Sequence, residues 1–149
     1  MPSSFGHRLA EAFATHGQLC VGIDPHAALI EEWGLTDDVR GVETFAKTVV
    51  NAAAGRVGII KPQVSFFERF GSRGFAVLEE IGQQAHEAGL LVIMDAKRGD
   101  IGSTMEAYFE AWLGKDAPFY ADALTISPYL GLGSLKPTMA AAFERGKGV

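Results

Sequence analysis

Cysteine is almost absent from this chain: Cys20 stands alone among 149 residues, so neither an internal disulfide nor a thiolate metal site can form. Its apolar, strand-like setting in "QLCVGIDP" predicts a buried, reduced thiol. No Lys/Arg-rich block is present and the formal net charge is −5, which argues against a general nucleic-acid binder. A local basic site for a small anionic metabolite stays open. No apolar run reaches the ~18 residues of a membrane helix, so no membrane partner is expected. At the N-terminus, "MPSSFGHRLAEAF" puts His7, Arg8 and Glu11 where an export signal needs its apolar core, which predicts a soluble, cytoplasmic protein. The four histidines, His7, His16, His26 and His86, are scattered without metal-ligand spacing. No Ser/His/Asp or Cys/His arrangement is apparent, and Trp33 and Trp112 read as packing residues.

What is plentiful is apolar sequence, 48% of the chain, enough for one folded domain over residues 1–149. "FGHRLAEAFATHG" has Phe5, Leu9, Ala12 and Phe13 at helical spacing, with Gly17 as a stop. "QLCVGIDP" (18–25) reads as a strand, followed by a long polar connection, "HAALIEEWGLTDD". An amphipathic helix then starts near Asp38, with Val42, Phe45, Ala46, Val49, Val50 and Ala53 on one stripe. "VGIIKPQVSFF" (57–67) is a second strand broken by Pro62. "RGFAVLEEIGQQAHEAG" is a helix facing inward through Phe75, Leu78, Ile81 and Ala85, and it ends at Gly89. "LLVIMDA" is the third strand. Met105, Tyr108, Phe109 and Trp112 mark the next helix, ended by Gly114. "ADALTISP" is the fourth strand. "GLGSLK" (131–136) reads as a turn, with Ser134 capping a last helix that tolerates Pro137 and packs Phe143 inward.

The order is therefore one helix and then βα four times. The strands are continuous apolar runs, as in parallel sheets covered on both faces. Their starts near residues 18, 57, 91 and 121 approach the ~31-residue period of a TIM (β/α)8 barrel. The predicted fold is α/β: the N-terminal half, about four βα units, of such a barrel. A small, open, doubly wound sheet is the alternative that periodicity leaves standing.

Polar residues gather where each strand ends: Asp24, Lys61, Asp95 with Lys97, and Ser127. In parallel α/β folds these ends share one rim, where active sites form; the plainer explanation is that strand ends must meet water. "DAKRGD" says more. Two apart on an extended chain, Asp95 and Lys97 project to one face. Lys61 approaches from the neighbouring strand and Asp100 follows, an alternating Lys, Asp, Lys, Asp array in which each charge favours the charged form of its neighbours. Ammonium groups beside a fixed carboxylate can stabilise a carbanion and then protonate it. The competing explanation is a surface salt-bridge network.

"DAKRGDIGST" (95–104) resembles the Asp-x-Lys-x-x-Asp signature of the orotidine 5′-phosphate decarboxylase family, in its bacterial type 2 branch. "VGIDPH", "IKPQVSFFERFGSRG" and "LTISPYLG" resemble that branch's first, second and fourth strand ends, in order, so the likeness covers essentially the whole chain. It implies cofactor-free conversion of orotidine monophosphate to uridine monophosphate and CO₂ in de novo pyrimidine biosynthesis, with no metal. Carried over, Lys97 is the proton donor to C6 of the pyrimidine and Asp95 faces the departing carboxylate. Lys61 and Asp24 hold ribose hydroxyls and the charge network, and Ser127 lies near the ring. Asp100, with Thr104 behind it, serves the partner's site in a homodimer.

Family members complete eight βα units, and their phosphate-binding residues belong to the late ones. Single domain 1–149 is thus expected to be an incomplete barrel covering strands 1–4, with little activity alone, either part of a longer chain or two copies pairing their edges. Rival readings are an Mg²⁺-dependent sugar-phosphate decarboxylase or aldolase of the same barrel group, disfavoured by Lys61 where those enzymes place a metal-binding glutamate, and a non-catalytic half-barrel scaffold. Arg98-Gly99-Asp100 also spells an adhesion tripeptide, weakly.

Overall fold

The structure, a computed structural model, describes residues 3–149. It begins with α1 (Phe5–His16), whose Ser4 hydroxyl accepts from the His7 N–H, and continues into β1 (Cys20–Ile23). The expected polar connection contains a short helix, α2 (Ala27–Glu32), because His26 Nδ1 accepts from the Leu29 N–H and caps it. Asp38 caps α3 (Val39–Ala53) by accepting from the Gly41 N–H at 2.9 Å. β2 (Ile59–Pro62) is shorter than its apolar run suggests: after Pro62 the chain turns into α4 (Ser65–Glu68). Next come α5 (Ser72–Glu87) and β3 (Leu91–Arg98). Gly89, at φ 74°, ends α5 in a Schellman turn: its own N–H reaches His86 O and that of Leu90 reaches Ala85 O. The chain closes with α6 (Gly102–Leu113), β4 (Ala123–Ile126), a 3₁₀ turn (Leu132–Leu135) and α7 (Lys136–Glu144).

The four strands are parallel and lie in sequence order. That order decides between the two architectures left open by periodicity. A doubly wound sheet reverses direction at a switch point and so carries helices on both faces. Sequential right-handed crossovers place every connecting helix on one face, as in a barrel wall. Val21, Ile23, Ile60, Val92, Met94, Ala96, Leu124 and Ile126 belong to one apolar cluster with residues of α3, α5 and α6. Their strand neighbours by alternation, Cys20, Gly22, Lys61, Ile93, Asp95, Ala123 and Thr125, form the other, inner face.

The inner face explains several departures from expectation. Cys20 is exposed, because it faces inward on edge strand β1 and no layer covers it. Partial burial still pushes its thiol pKa up, against a smaller lowering by the Lys61 charge. The outer edge of β4 carries a parallel bridge from Ala123 to Gly148. α1 lies at the N-terminal ends of the strands: a Cβ on Gly58 would stand 2.8 Å from the Ala12 Cβ. Arg8 ties it there by donating to Asp122 Oδ1 at 2.9 Å and Gly146 O at 2.9 Å. Its apolar stripe is only half-buried.

Two expectations for the last helix fail. Ser134 is not its cap, since the 3₁₀ turn places it before Leu135 and its hydroxyl donates to Gly131 O. Phe143 is 67% exposed, because α7 turns the adjacent Ala142 into the core instead. No described helix is long and apolar enough to cross a membrane.

Candidate active site

Along the inner face, residue type changes with height. Cys20 pairs with Ile59, and Ile59 with Leu91, at the lowest level; Gly22 pairs with Lys61, and Ile93 with Ala123, above it. Gln63 bridges to Asp95 at the next level, from which Lys97 and Ser127 continue to the C-terminal rim. The lower levels are apolar and the upper ones polar, so the charges concentrate at one end of the wall.

Asp95 is the centre of that end. Only 8% exposed, it receives the Lys61 ammonium on Oδ2 at 3.0 Å and the Lys97 ammonium on Oδ1 at 2.7 Å. The Thr125 hydroxyl also donates to Oδ1, at 2.8 Å. Burial by itself raises the Asp95 pKa, but the hydrogen bonds from Lys97, Lys61 and Thr125 and the Lys61 charge outweigh it and bring it down to about 2. Lys97 reaches Asp95 by a route that strand alternation does not describe. It has φ 49°, in the left-handed region, and the β3–β4 register shifts between Met94 and Arg98. The bulge turns Lys97 so that its ammonium folds back on Asp95 while also donating to Gln63 Oε1 at 3.2 Å. Its side chain stays 59% exposed.

A depressed carboxylate pKa has a stability consequence whose sign is fixed. The folded pKa lies below the unfolded value, so Asp95 contributes stability that is present above about pH 4 and lost as pH falls toward 2. The gap corresponds to about 2 kcal/mol. Urea unfolding between pH 6 and pH 2 is expected to show this loss, and Asp95→Asn is expected to flatten that part of the profile. An unchanged profile in the variant would contradict the assignment.

The structure does not bring every sequence-predicted residue into this cluster. Asp100 is not in the array: its Oδ1 accepts from the Ile101 N–H at 2.7 Å, and it makes no ion pair among the described residues. The reason is local. Gly99 sits so close to β4 that a Cβ would stand 2.6 Å from Ser127 O, and the chain then turns away through Gly102 at φ 53°. Thr104 is exposed in the first turn of α6. Ser127 is held beside the rim, its N–H donating to Arg98 O at 2.7 Å. Asp24 follows β1 on the same inner face and makes no ion pair; its Oδ1 is buried without a partner among the described residues. A buried carboxylate oxygen left unpaired is costly unless a ligand donor meets it.

Sequence reasoning missed Gln63 and Thr125. Both follow from alternation, two residues beyond Lys61 and two before Ser127, but a strand threonine reads first as β-propensity. Arg98 turns to the other face: it pairs with Glu68 at 3.0 Å and lies over the Tyr108 and Trp112 rings, 5.7 and 5.4 Å from their centroids. That removes the guanidinium an adhesion motif would present. A cleft of about 860 Å³ lies elsewhere, between the end of α6 and Arg145. It contains no member of the ionic cluster, and the charges, not the volume, indicate where chemistry is available. What the cluster offers is two ammonium groups fixed by one buried carboxylate, an arrangement suited to meeting negative charge and delivering a proton.

Comparison with known proteins finds relatives of the whole wall. An orotidine 5′-phosphate decarboxylase of Streptomyces coelicolor is 64% identical over 97% of this chain and 52% of its own length. A crystal structure from Streptomyces avermitilis, named for the same activity, superposes with a TM-score of 0.95 at 60% identity, covering 98% of this chain and 51% of that one. The Leishmania donovani OMP decarboxylase superposes at 0.77 with 34% identity, over 94% of this chain and 50% of that one. The chain thus spans about half the length of these relatives, and its four βα units correspond to half of their TIM barrels. The sequence profile of the orotidine 5′-phosphate decarboxylase / HUMPS family matches residues 17–149, and the chain belongs to that family.

Proposed function

We propose that these residues supply the charged half of an orotidine 5′-phosphate decarboxylase site. The reaction is loss of CO₂ from orotidine monophosphate to give uridine monophosphate in de novo pyrimidine biosynthesis. One observation carries the reading: Lys61 and Lys97 both grip Asp95, at 3.0 and 2.7 Å, at the C-terminal rim of a parallel barrel wall. Breaking the C6–carboxylate bond releases CO₂ and leaves an electron pair on C6 with no adjacent carbonyl to spread it. Lys97 then offsets that charge and transfers a proton from Nζ to C6. Asp95, held ionised, stands against the substrate's carboxylate and raises the ground state. Lys61 and Asp24 take ribose hydroxyls, the unpaired Asp24 Oδ1 being a ready acceptor. Ser127 lies by the pyrimidine.

Asp100 and Thr104 point this reading toward a homodimer, in which they serve the partner's site; their separation from the Asp95 cluster within one chain supports that division. No cofactor is invoked, because Lys61 Nζ already takes the Asp95 oxygen that a divalent cation would need. That disfavours the Mg²⁺-dependent alternative. The protein is read as cytoplasmic, with residues 1–149 as one domain forming strands 1–4 of the barrel. The open inner face and the place of the phosphate grip in later units imply little activity for these 149 residues alone.

The test is a hybrid joining residues 1–149 to the C-terminal half of the Streptomyces coelicolor relative. It is expected to convert orotidine monophosphate to uridine monophosphate and CO₂, with rates unchanged by a chelator. A folded hybrid with no turnover, or turnover restored only by Mg²⁺, would overturn the proposal.

A further inference from the structure

The Thr125 hydroxyl occupies a position that its neighbours leave almost no freedom. The Lys97 backbone N–H donates to Thr125 Oγ1 at 2.9 Å, and the hydroxyl donates to Asp95 Oδ1 at 2.8 Å. An amide N–H can only donate, so the oxygen must accept there and spend its single proton on Asp95. The same Oδ1 receives the Lys97 ammonium at 2.7 Å. A closed ring results: Lys97 amide to Thr125, Thr125 to Asp95, and Asp95 back to the Lys97 side chain. It encloses the one residue of β3 with positive φ, at the point where the β3–β4 register breaks.

We propose that Thr125 is a positioning residue, whose hydroxyl on β4 locks the Lys97 backbone in its left-handed conformation and orients the Asp95 carboxylate that receives the Lys97 ammonium. A non-glycine residue rarely holds positive φ unless its surroundings over-determine it. Here the partner of the freed amide comes from a different strand, so the bulge is pinned from outside β3. The hydroxyl supports both ends of Lys97, its amide directly and its ammonium through Asp95. Bonds in such a chain polarise one another, each strengthening the next. The groups that face Asp95 are Lys61 from β2, Lys97 from β3 and Thr125 from β4, so removing the hydroxyl deletes neither amine and isolates its role. The inference rests on the decarboxylase reading only for its consequence, the placement of the proton donor.

The experiment compares Thr125→Val, which keeps shape and loses the hydroxyl, with Thr125→Ser, which keeps the hydroxyl, in the 149-residue chain. Carboxyl ¹³C NMR is expected to show the Asp95 titration midpoint rising by about one pH unit in the valine variant. The Lys97 amide–Hα coupling is expected to leave the value for positive φ. The serine variant is expected to restore both. If valine prevents folding, Thr125→Ala is read in the same way. In the unmutated chain, a cross-peak between the Thr125 hydroxyl proton and the Lys97 amide gives a further reading that needs no variant. An Asp95 midpoint and a Lys97 coupling indifferent to loss of the hydroxyl would overturn the proposal, as would absence of that cross-peak. None of these readouts requires turnover, so failure of the decarboxylase reading and failure of this inference are seen separately.

Discussion

Replacing Lys97 by alanine in the hybrid enzyme is expected to lower kcat by about 10⁴-fold. A positioned proton donor contributes roughly 10²–10⁴, and a fixed charge at the developing anion adds about 10²–10³. Lys97 supplies both, and the two effects need not add in full. The fold should survive the change, because Asp95 keeps the Lys61 ammonium at 3.0 Å and the Thr125 hydroxyl at 2.8 Å. Lys97 is itself largely exposed, so its removal opens no cavity. The measurement is steady-state turnover of orotidine monophosphate, with circular dichroism and urea unfolding as controls. A variant that folds and keeps turnover within tenfold of the parent would remove Lys97 from the chemistry.

Phe67→Ala is expected to lower the stability of the 149-residue chain by about 3–5 kcal/mol, the usual cost of emptying a buried aromatic site. Phe67, on α4, is fully buried in the core. Its surroundings cannot collapse easily: a Cβ on Gly74 would stand 1.8 Å from Phe67 O, so α5 already touches this backbone. Against a typical total of 5–15 kcal/mol, the loss is severe. It should show as a fall in the urea midpoint at constant slope. The damage also reaches the site by a short path: the Phe67 N–H donates to Val64 O at 2.9 Å, and the Val64 N–H donates to Asp95 O at 3.3 Å. A change below about 1 kcal/mol would show that α4 does not anchor the end of β2.

Much of this was legible beforehand. The α3 and α5 stripes folded inward nearly as their spacing indicates, because period-3.6 apolar patterns leave a helix one face to bury. The Asp95–Lys97 pairing was also legible, though for an incomplete reason. Alternation brings the two residues to one face, whereas the ammonium reaches Oδ1 through a left-handed residue at a register shift. Phe143 and Cys20 were misplaced for a shared reason. Hydrophobicity states what a side chain prefers, not which of its faces another layer covers.

By itself the amino-acid order determined the number and sequence of βα units, the family, and the carboxylate and two amines at the heart of the site, since periodicity and a local motif are properties of neighbouring residues. Only the tertiary structure decided between a barrel wall and a doubly wound sheet, separated Asp100 from the cluster, and brought in Gln63 and Thr125. Those outcomes depend on strand order, register and a pinned bulge, which arise from contacts between residues about 30 positions apart, and no local pattern encodes them.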